Sequence, residues 1–319
     1  MRAFDLLPIL ALALSSPALA QSGPLVNETE IPVSDKLPGA FFAVPEGDGP
    51  FPAIIILGGS EGGDRAARSL AKRFLAQDYA VLGLPYYSPA WAGNPQQFPG
   101  LPKAFANIPV DMAETARDWL KARKDVRAED IAIYGVSKGA EFALLAGSKI
   151  DGFAAIAAIV PSDVVWEGWG PGTSTGKSSS FSWRGEPLEF VPYSGMEEEI
   201  AKFAKPGETA RLRLPHDRGR NANPLLAVKA RIKVTDIDEP VLVAGGDADN
   251  VWNSGEMAQA IAERRAEARL PTVSLVFTDA GHSLSGTGKP NEYSSDEEIA
   301  AQKIIWPATL DFFATHLKD

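Results

Sequence analysis

Gly135-Val136-Ser137-Lys138-Gly139 sets a hydroxyl between two glycines, directly after the apolar run Ile131–Val136 and directly before a run of helical character. A serine at so sharp a strand-to-helix turn sits in a strained backbone conformation. Its hydroxyl stands clear at the positive end of the helix dipole. The chemistry open to such a serine is attack on a carbonyl carbon. A hydroxyl is a weak nucleophile at neutral pH and needs a base to take its proton. The chain has three histidines, His216, His282 and His316. His316 lies near the C-terminus on an amphipathic helix. His216 lies in the irregular stretch Leu214-Pro215-His216-Asp217-Arg218. Both read as surface residues. His282 follows the apolar run Val273–Phe277 and the turn Asp279-Ala280-Gly281, and is the predicted base.

An imidazole base needs an acid to hold its orientation and tautomer. The run Val241–Ala244 ends in Gly245-Gly246-Asp247-Ala248-Asp249-Asn250. Asp249 is preferred, because it lies deeper in the turn, just before Val251-Trp252 and the next helix. Asp247 reads as a turn-former bonding its own backbone, and Asp279 as serving its own turn. The order Ser, Asp, His is that of α/β-hydrolases. An oxyanion needs two backbone N–H donors. Lys138, after the nucleophile, supplies one. The other comes from Gly58-Gly59-Ser60-Glu61-Gly62-Gly63, where the glycines admit close backbone approach; Ser60 and Glu61 are both candidates.

The elements that must hold these groups alternate along the chain. Strand candidates are Ala53–Leu57, Tyr79–Leu84, Ile131–Val136, Phe153–Val160, Val241–Ala244 and Val273–Phe277. Each is a nearly continuous apolar run, as in strands covered on both faces. Helix candidates are Asp64–Gln77, Pro109–Arg123, Lys138–Ser148, Ser254–Ala266 and Ser295–Leu317, the last expected to kink or split at Pro307. The expected fold class is therefore α/β, an α/β-hydrolase fold: a mostly parallel central sheet with helices on both faces. Leu25–Val33 and Gly39–Val44 read as an antiparallel hairpin leading into it.

Residues 161–232 break the rhythm, with many Gly, Ser, Pro and Trp and a short helical stretch near Met196–Phe203. Trp166, Trp169, Phe181, Trp183, Phe190 and Tyr193 argue against disorder, so this is expected to be a cap-like insertion in a single domain over residues 21–319. Trp166 and Trp183, with Tyr87 at the end of its strand, are the expected substrate contacts.

Composition narrows the classes further. There is no cysteine, which excludes disulfides, thiolate metal sites and a cysteine nucleophile. The formal charge of −10 repels phosphate backbones and anionic lipid, so neither nucleic acid nor a membrane surface is an expected partner. Gly176-Lys177-Ser178 ends like a P-loop, but Pro171 stands where that loop needs glycine. No metal or cofactor is expected. The N-terminus has one leading Arg, an apolar run from Leu6 to about Leu14 and the small-x-small site Ala18-Leu19-Ala20. The run is too short to span a membrane. Residues 1–20 are expected to be a cleaved signal peptide, which implies an exported, periplasmic or secreted protein.

At this point the chain resembles the C-terminal catalytic domain shared by acyl-CoA thioesterases and bile-acid-CoA:amino-acid N-acyltransferase. The resemblance covers roughly residues 39–317. It is carried by Ser137-Lys138-Gly139-Ala140-Glu141, Ile108-Pro109-Val110-Asp111, Leu84-Pro85-Tyr86-Tyr87, Trp183-Arg184-Gly185-Glu186-Pro187-Leu188, Pro240 through Ser254, and Ala280-Gly281-His282. It implies Ser137, Asp249 and His282 as the triad. The amino-acid-transferring member uses Cys where this chain has Ser137, which favours hydrolysis over transfer to an amine. More distantly the layout resembles dienelactone hydrolases. The expected function is hydrolysis of a carboxylic ester or thioester. An acyl-CoA thioesterase or acyltransferase is the alternative, against which an export signal argues. A non-catalytic binding protein on the same scaffold is the rival from another class.

Overall fold

Alternate residues of the apolar runs point to opposite faces of one sheet, and both faces are covered. Ile55, Ile133, Ile156 and Val243 enter one core, while Ile54, Ile56, Ala132, Tyr134, Leu242 and Ala244 enter the other. This is why the runs read as continuous rather than alternating. The computed structural model describes Leu25 and residues 27–29, 36–90 and 95–318. The expected signal peptide, residues 1–20, and part of the leading hairpin's first arm lie outside the described residues.

The strands are β1 (Glu28–Thr29), β2 (Phe41–Ala43), β3 (Phe51–Leu57), β4 (Ala80–Gly83), β5 (Ile108–Pro109), β6 (Val126–Val136), β7 (Ala155–Ile159), β8 (Phe181–Trp183), β9 (Glu186–Pro187), β10 (Val241–Gly246) and β11 (Thr272–Phe277). The main sheet has the order β1-β2-β4-β3-β6-β7-β10-β11. β1 and β2 pair antiparallel, as expected of the leading hairpin, and from β4 to β11 all pairs are parallel. The helices are α1 (Arg65–Leu75), α2 (Met112–Lys121), α3 (Lys138–Gly147), α4 (Met196–Lys202), α5 (Arg213–Ala222), α6 (Pro224–Lys229), α7 (Ser254–Glu267) and α8 (Asp296–Leu317). The apolar stripe of α1, Ala67, Leu70, Ala71 and Phe74, is buried as its spacing requires.

Two expectations need correcting. β11 is not covered on both faces: it is the sheet's edge, and Val273 and Val276 are exposed. Pro307 does not split α8, which runs unbroken from Asp296 to Leu317. Pro307 and Lys303, four residues before it, are both exposed, so the turn that loses a hydrogen bond lies on the solvent side.

The excursion between β7 and β10 folds onto the core. β8 pairs in parallel with β5, and β9 pairs antiparallel with β8, giving a small second sheet. The expected short helix is α4, but α5 and α6 were not anticipated. Pro215 and Gly219 in α5 are the reason. Pro215 sits in the first turn, where its missing N–H costs nothing. Gly219 is required because a Cβ there would come within 2.0 Å of the Pro192 carbonyl oxygen.

Candidate active site

β6 ends at Val136 and α3 begins at Lys138, so Ser137 alone makes the turn, at φ 57° and ψ −120°. That left-handed conformation is costly for a residue with a Cβ and persists because its surroundings over-determine it. The Ser137 N–H donates to the Ile159 carbonyl at 2.9 Å. A Cβ on Gly135 would lie 2.0 Å from the Gly139 carbonyl oxygen, and one on Gly139 would lie 2.2 Å from the Gly58 carbonyl oxygen. Both glycines of the motif are therefore steric necessities. They let strand, helix and the Gly58–Gly63 loop meet backbone to backbone.

The structure brings Ser137, His282 and Asp249 together. His282 Nε2 is 2.9 Å from Ser137 Oγ, and His282 Nδ1 is 2.7 Å from Asp249 Oδ2. Asp249 is 1% exposed, and its other oxygen accepts the N–H groups of Val251 at 2.8 Å and Trp252 at 3.4 Å. Asp247 is exposed, with its carboxylate against Gly255 at the start of α7. A carboxylate only accepts, so Nδ1 carries the hydrogen in that bond. The Nε2 lone pair then faces the Ser137 hydroxyl. The turn bearing His282 is fastened to α8: Glu298 accepts the Ser283 N–H at 2.9 Å, and Gln302 donates to the Ser283 carbonyl at 2.6 Å. Ser295 and Glu298 also form a capping box that fixes where α8 starts.

The two oxyanion candidates of the glycine loop sit differently toward Ser137. The Glu61 carboxylate accepts the N–H of Gly59 at 3.0 Å. Burial pushes the Glu61 carboxyl above the usual range, and backbone N–H groups oppose that shift. Ser60 borders Ser137 in both cavities described below, and Glu61 in one. The N–H groups of Ser60 and Glu61 have no acceptor among the described residues. Lys138 N–H likewise has none.

The Lys138 side chain does something the motif did not reveal. It is 1% exposed, pairs with Glu141 at 2.7 Å and donates to Ser180 Oγ at 3.0 Å. The rings of Phe105, Trp169 and Phe181 surround its ammonium at 5.1, 5.6 and 5.3 Å. Burial lowers the lysine pKa and raises that of Glu141, and each charge opposes the other's shift. Glu141 also accepts the Trp166 N–H at 3.2 Å. The Ser-Lys-Gly-Ala-Glu sequence therefore places a buried ion pair on the elbow helix, and its hydrogen bonds with Ser180 and the Trp166 N–H tie that helix to the cap.

Two cavities meet at Ser137. One, of about 430 Å³, lies under the cap and is lined by Trp169, Tyr193, Met196, Ile200, Val251 and Trp252 among others. The second, of about 800 Å³, is the more polar of the two; His282 and Ser283 border it, and so do Arg65, Arg73, Lys289 and Glu61.

The expected substrate contacts are not where sequence reasoning put them. Trp166 is fully buried behind the cap cavity, stacked on Tyr193 at 5.9 Å, and lines neither space. Trp183 lies away from both, under Arg184 and Lys149. Tyr87 is buried edge-on against Phe105. His216 is also corrected: it is not a surface residue but a buried one, 4% exposed, on α5 in the wall of the cap cavity. Its signal was the spacing of Leu212, His216 and Gly219, one stripe of a helix that Pro215 and Gly219 disguised. His316, half-exposed at the end of α8, is near the surface as expected. Among the described residues no group of three His, Asp or Glu side chains could hold a metal ion, and no helix is long and apolar enough to cross a membrane.

The parallel sheet, the strained serine elbow and the histidine turn after the last strand define an α/β-hydrolase fold. Solved structures agree. A putative dienelactone hydrolase from Klebsiella pneumoniae covers 86% of this chain and 92% of its own, with a TM-score of 0.55 at 16% identity. An α/β hydrolase from a Medee basin deep-sea metagenome library covers 88% and 94%, with a TM-score of 0.54 at 16% identity. Residues 108–306 match the sequence model of the BAAT / acyl-CoA thioester hydrolase C-terminal family, and the chain belongs to that family. Among similar proteins, acyl-coenzyme A thioesterase 1 of Rattus norvegicus is 25% identical over 253 residues, 79% of this chain and 53% of that protein. Peroxisomal succinyl-coenzyme A thioesterase of Mus musculus is 26% identical over 280 residues, 86% of this chain and 59% of that protein. The chain thus spans about half the length of the curated relatives it matches.

Proposed function

We propose that this chain hydrolyses a carboxylic ester or thioester through an acyl-enzyme on Ser137. One observation carries the reading: Ser137 Oγ, His282 and Asp249 form an unbroken hydrogen-bonded series, at 2.9 and 2.7 Å, on a strained elbow. His282 Nε2 takes the hydroxyl proton as Oγ attacks the carbonyl carbon. The N–H groups of Lys138 and Ser60 hold the oxyanion. His282 then gives its proton to the leaving group, and water repeats the sequence to free the acid. Asp249 keeps the hydrogen on Nδ1 throughout.

The same proton transfer assigns the two cavities. A leaving group must depart within reach of His282, and His282 borders the polar cleft but not the cap cavity. The leaving group therefore belongs in the cleft and an apolar acyl group under the cap. A specific observation favours an anionic leaving group: Arg65, Arg73 and Lys289 border the cleft against the single carboxylate of Glu61. The matched relatives are named acyl-coenzyme A thioesterases, and coenzyme A is such an anion, although an export signal argues against it. Residues 1–20 remain our proposed export signal; N-terminal sequencing of protein from its native host should begin near Gln21.

The test is labelling of Ser137 by a fluorophosphonate, with turnover of p-nitrophenyl esters and coenzyme A thioesters of the same acids. Absence of both labelling and turnover would sink the hydrolase reading. If coenzyme A is the leaving group, Arg65→Gln and Lys289→Gln raise KM for the thioester more than for the neutral ester, and salt narrows the gap. Equal changes would leave a neutral ester as the substrate.

A further inference from the structure

His216 takes no part in the acyl transfer, yet its ring lines the cap cavity. Its proton can be assigned. Nδ1 lies 2.7 Å from the Leu212 carbonyl oxygen, which can only accept, so Nδ1 carries the hydrogen. Burial holds the imidazole pKa down at about 3, so the ring stays neutral at working pH. Nε2 is then left with a lone pair and no proton. Three rings pack edge-on around it: Trp166 at 4.6 Å, Tyr193 at 4.8 Å and Trp252 at 5.6 Å. Neither indole serves Nε2. Trp166 Nε1 donates to Ser162 Oγ at 2.8 Å, and Trp252 Nε1 donates to the Val160 carbonyl at 3.3 Å. No described residue donates to Nε2, yet it is not among the sealed, partnerless polar atoms of the interior. It is the one polar atom this ring has left to offer the cavity.

A largely apolar space with a fixed acceptor in its wall recognises an apolar ligand that carries a donor. We propose that His216 determines specificity by accepting a hydrogen bond at Nε2 from a hydroxyl group on the acyl part of the substrate. This rests on the reading above, in which the cap cavity holds the acyl group. The position of the hydroxyl is set by the rings. Trp252 packs against both histidines, 5.4 Å from His282 and 5.6 Å from His216. The favoured hydroxyl is the one whose distance from the carbonyl at Ser137 matches the reach to His216 Nε2 within the same cavity. A neutral, preset acceptor costs no reorganisation when the donor arrives.

The experiment uses the full chain and p-nitrophenyl esters of C8 to C12 straight-chain acids, unsubstituted or with one hydroxyl at successive carbons. The expected result is a rise in kcat/KM on the order of tenfold for a hydroxyl at one or two neighbouring positions. His216→Phe, which keeps the ring and removes the acceptor, abolishes that ratio. His216→Gln, whose amide oxygen reaches a similar place, restores part of it. A merely structural histidine would change both members of each pair alike and leave the ratio untouched. A wild-type protein that cleaves the plain esters but favours no hydroxyl position overturns this inference alone, as does a preference that survives in His216→Phe. A wild-type protein that cleaves none of the esters and no thioester overturns the hydrolase reading beneath it.

Discussion

The two cavities that meet at Ser137 are built by different means. The polar cleft is walled by segments that leave the carboxyl ends of the strands: the glycine loop after β3 and the stretch after β11, with α1 beside them. The serine elbow and the glycine loop are placed by backbone contact, as where Gly139 meets the Gly58 carbonyl. The cap cavity is walled by side chains from the excursion and from Val251-Trp252, held by packing and a few buried polar ties. Backbone contact tolerates no added methyl group, whereas packed side chains tolerate substitution at a graded cost. Changes at the strand ends should therefore act all-or-none on chemistry, and changes under the cap should act by degree on substrate choice or stability.

The largest effect is expected from Ser137→Ala or His282→Ala, each lowering kcat by roughly 10³–10⁶ with the fold retained. The double mutant should be hardly worse than either single one, because the groups act as a unit. Strictly multiplicative losses, measured against the same ester, would break that picture. Next is Asp249→Asn, expected to cost about 10²–10⁴ in kcat, while Asp247→Asn stays close to wild type. A crippled Asp247→Asn would move the orienting acid to the outer turn.

The cap offers a finer comparison between two tryptophans. Trp166 is wholly buried behind the wall, so Trp166→Ala should lose roughly 3–5 kcal/mol of stability in denaturant unfolding. Trp169 is part of the wall, stacked on Phe105 at 4.3 Å. Trp169→Ala should lower kcat/KM for long acyl groups more than for acetyl, by about 1–3 kcal/mol of transition-state binding. Equal losses across acyl lengths would make Trp169 a structural residue as well.

The smallest effect is one of pH. His216 is held neutral in the folded chain, with its pKa lowered to about 3 by burial. The unfolded chain takes up a proton near pH 6.5, and the folded one does not. Stability from this site is thus fully present above pH 6.5 and falls as pH drops from there toward 3. The slope is about 1.4 kcal/mol per pH unit, and other groups add to it. Wild type should lose melting temperature over pH 6.5 to 4.5 more steeply than His216→Phe. Parallel curves would show that this ring takes up its proton without unfolding.

The strand-and-helix rhythm, the serine elbow, the histidine after the last strand and the choice of Asp249 were all legible in the residues. Each depends on local chemistry: continuous apolar runs, glycines where a Cβ would strike backbone, and a carboxylate deep in a turn. The preference for Ser60 over Glu61 was not legible, because it turns on Ser60 bordering both cavities at Ser137 and Glu61 only one. Nor could the sequence tell which aromatics face the cavity. Trp166 and Trp169 are three residues apart on one irregular strand of chain, and composition treats them alike. Only the packing of α5 against Trp166 and Trp252 buries one and leaves the other in the wall. His216 shows the same limit most plainly. Its neighbours in sequence are Pro215 and Asp217, which read as surface loop. Its neighbours in space are three aromatic rings and a carbonyl, brought together by contacts between segments distant along the chain, which decide its burial, its tautomer and the chemistry it can offer.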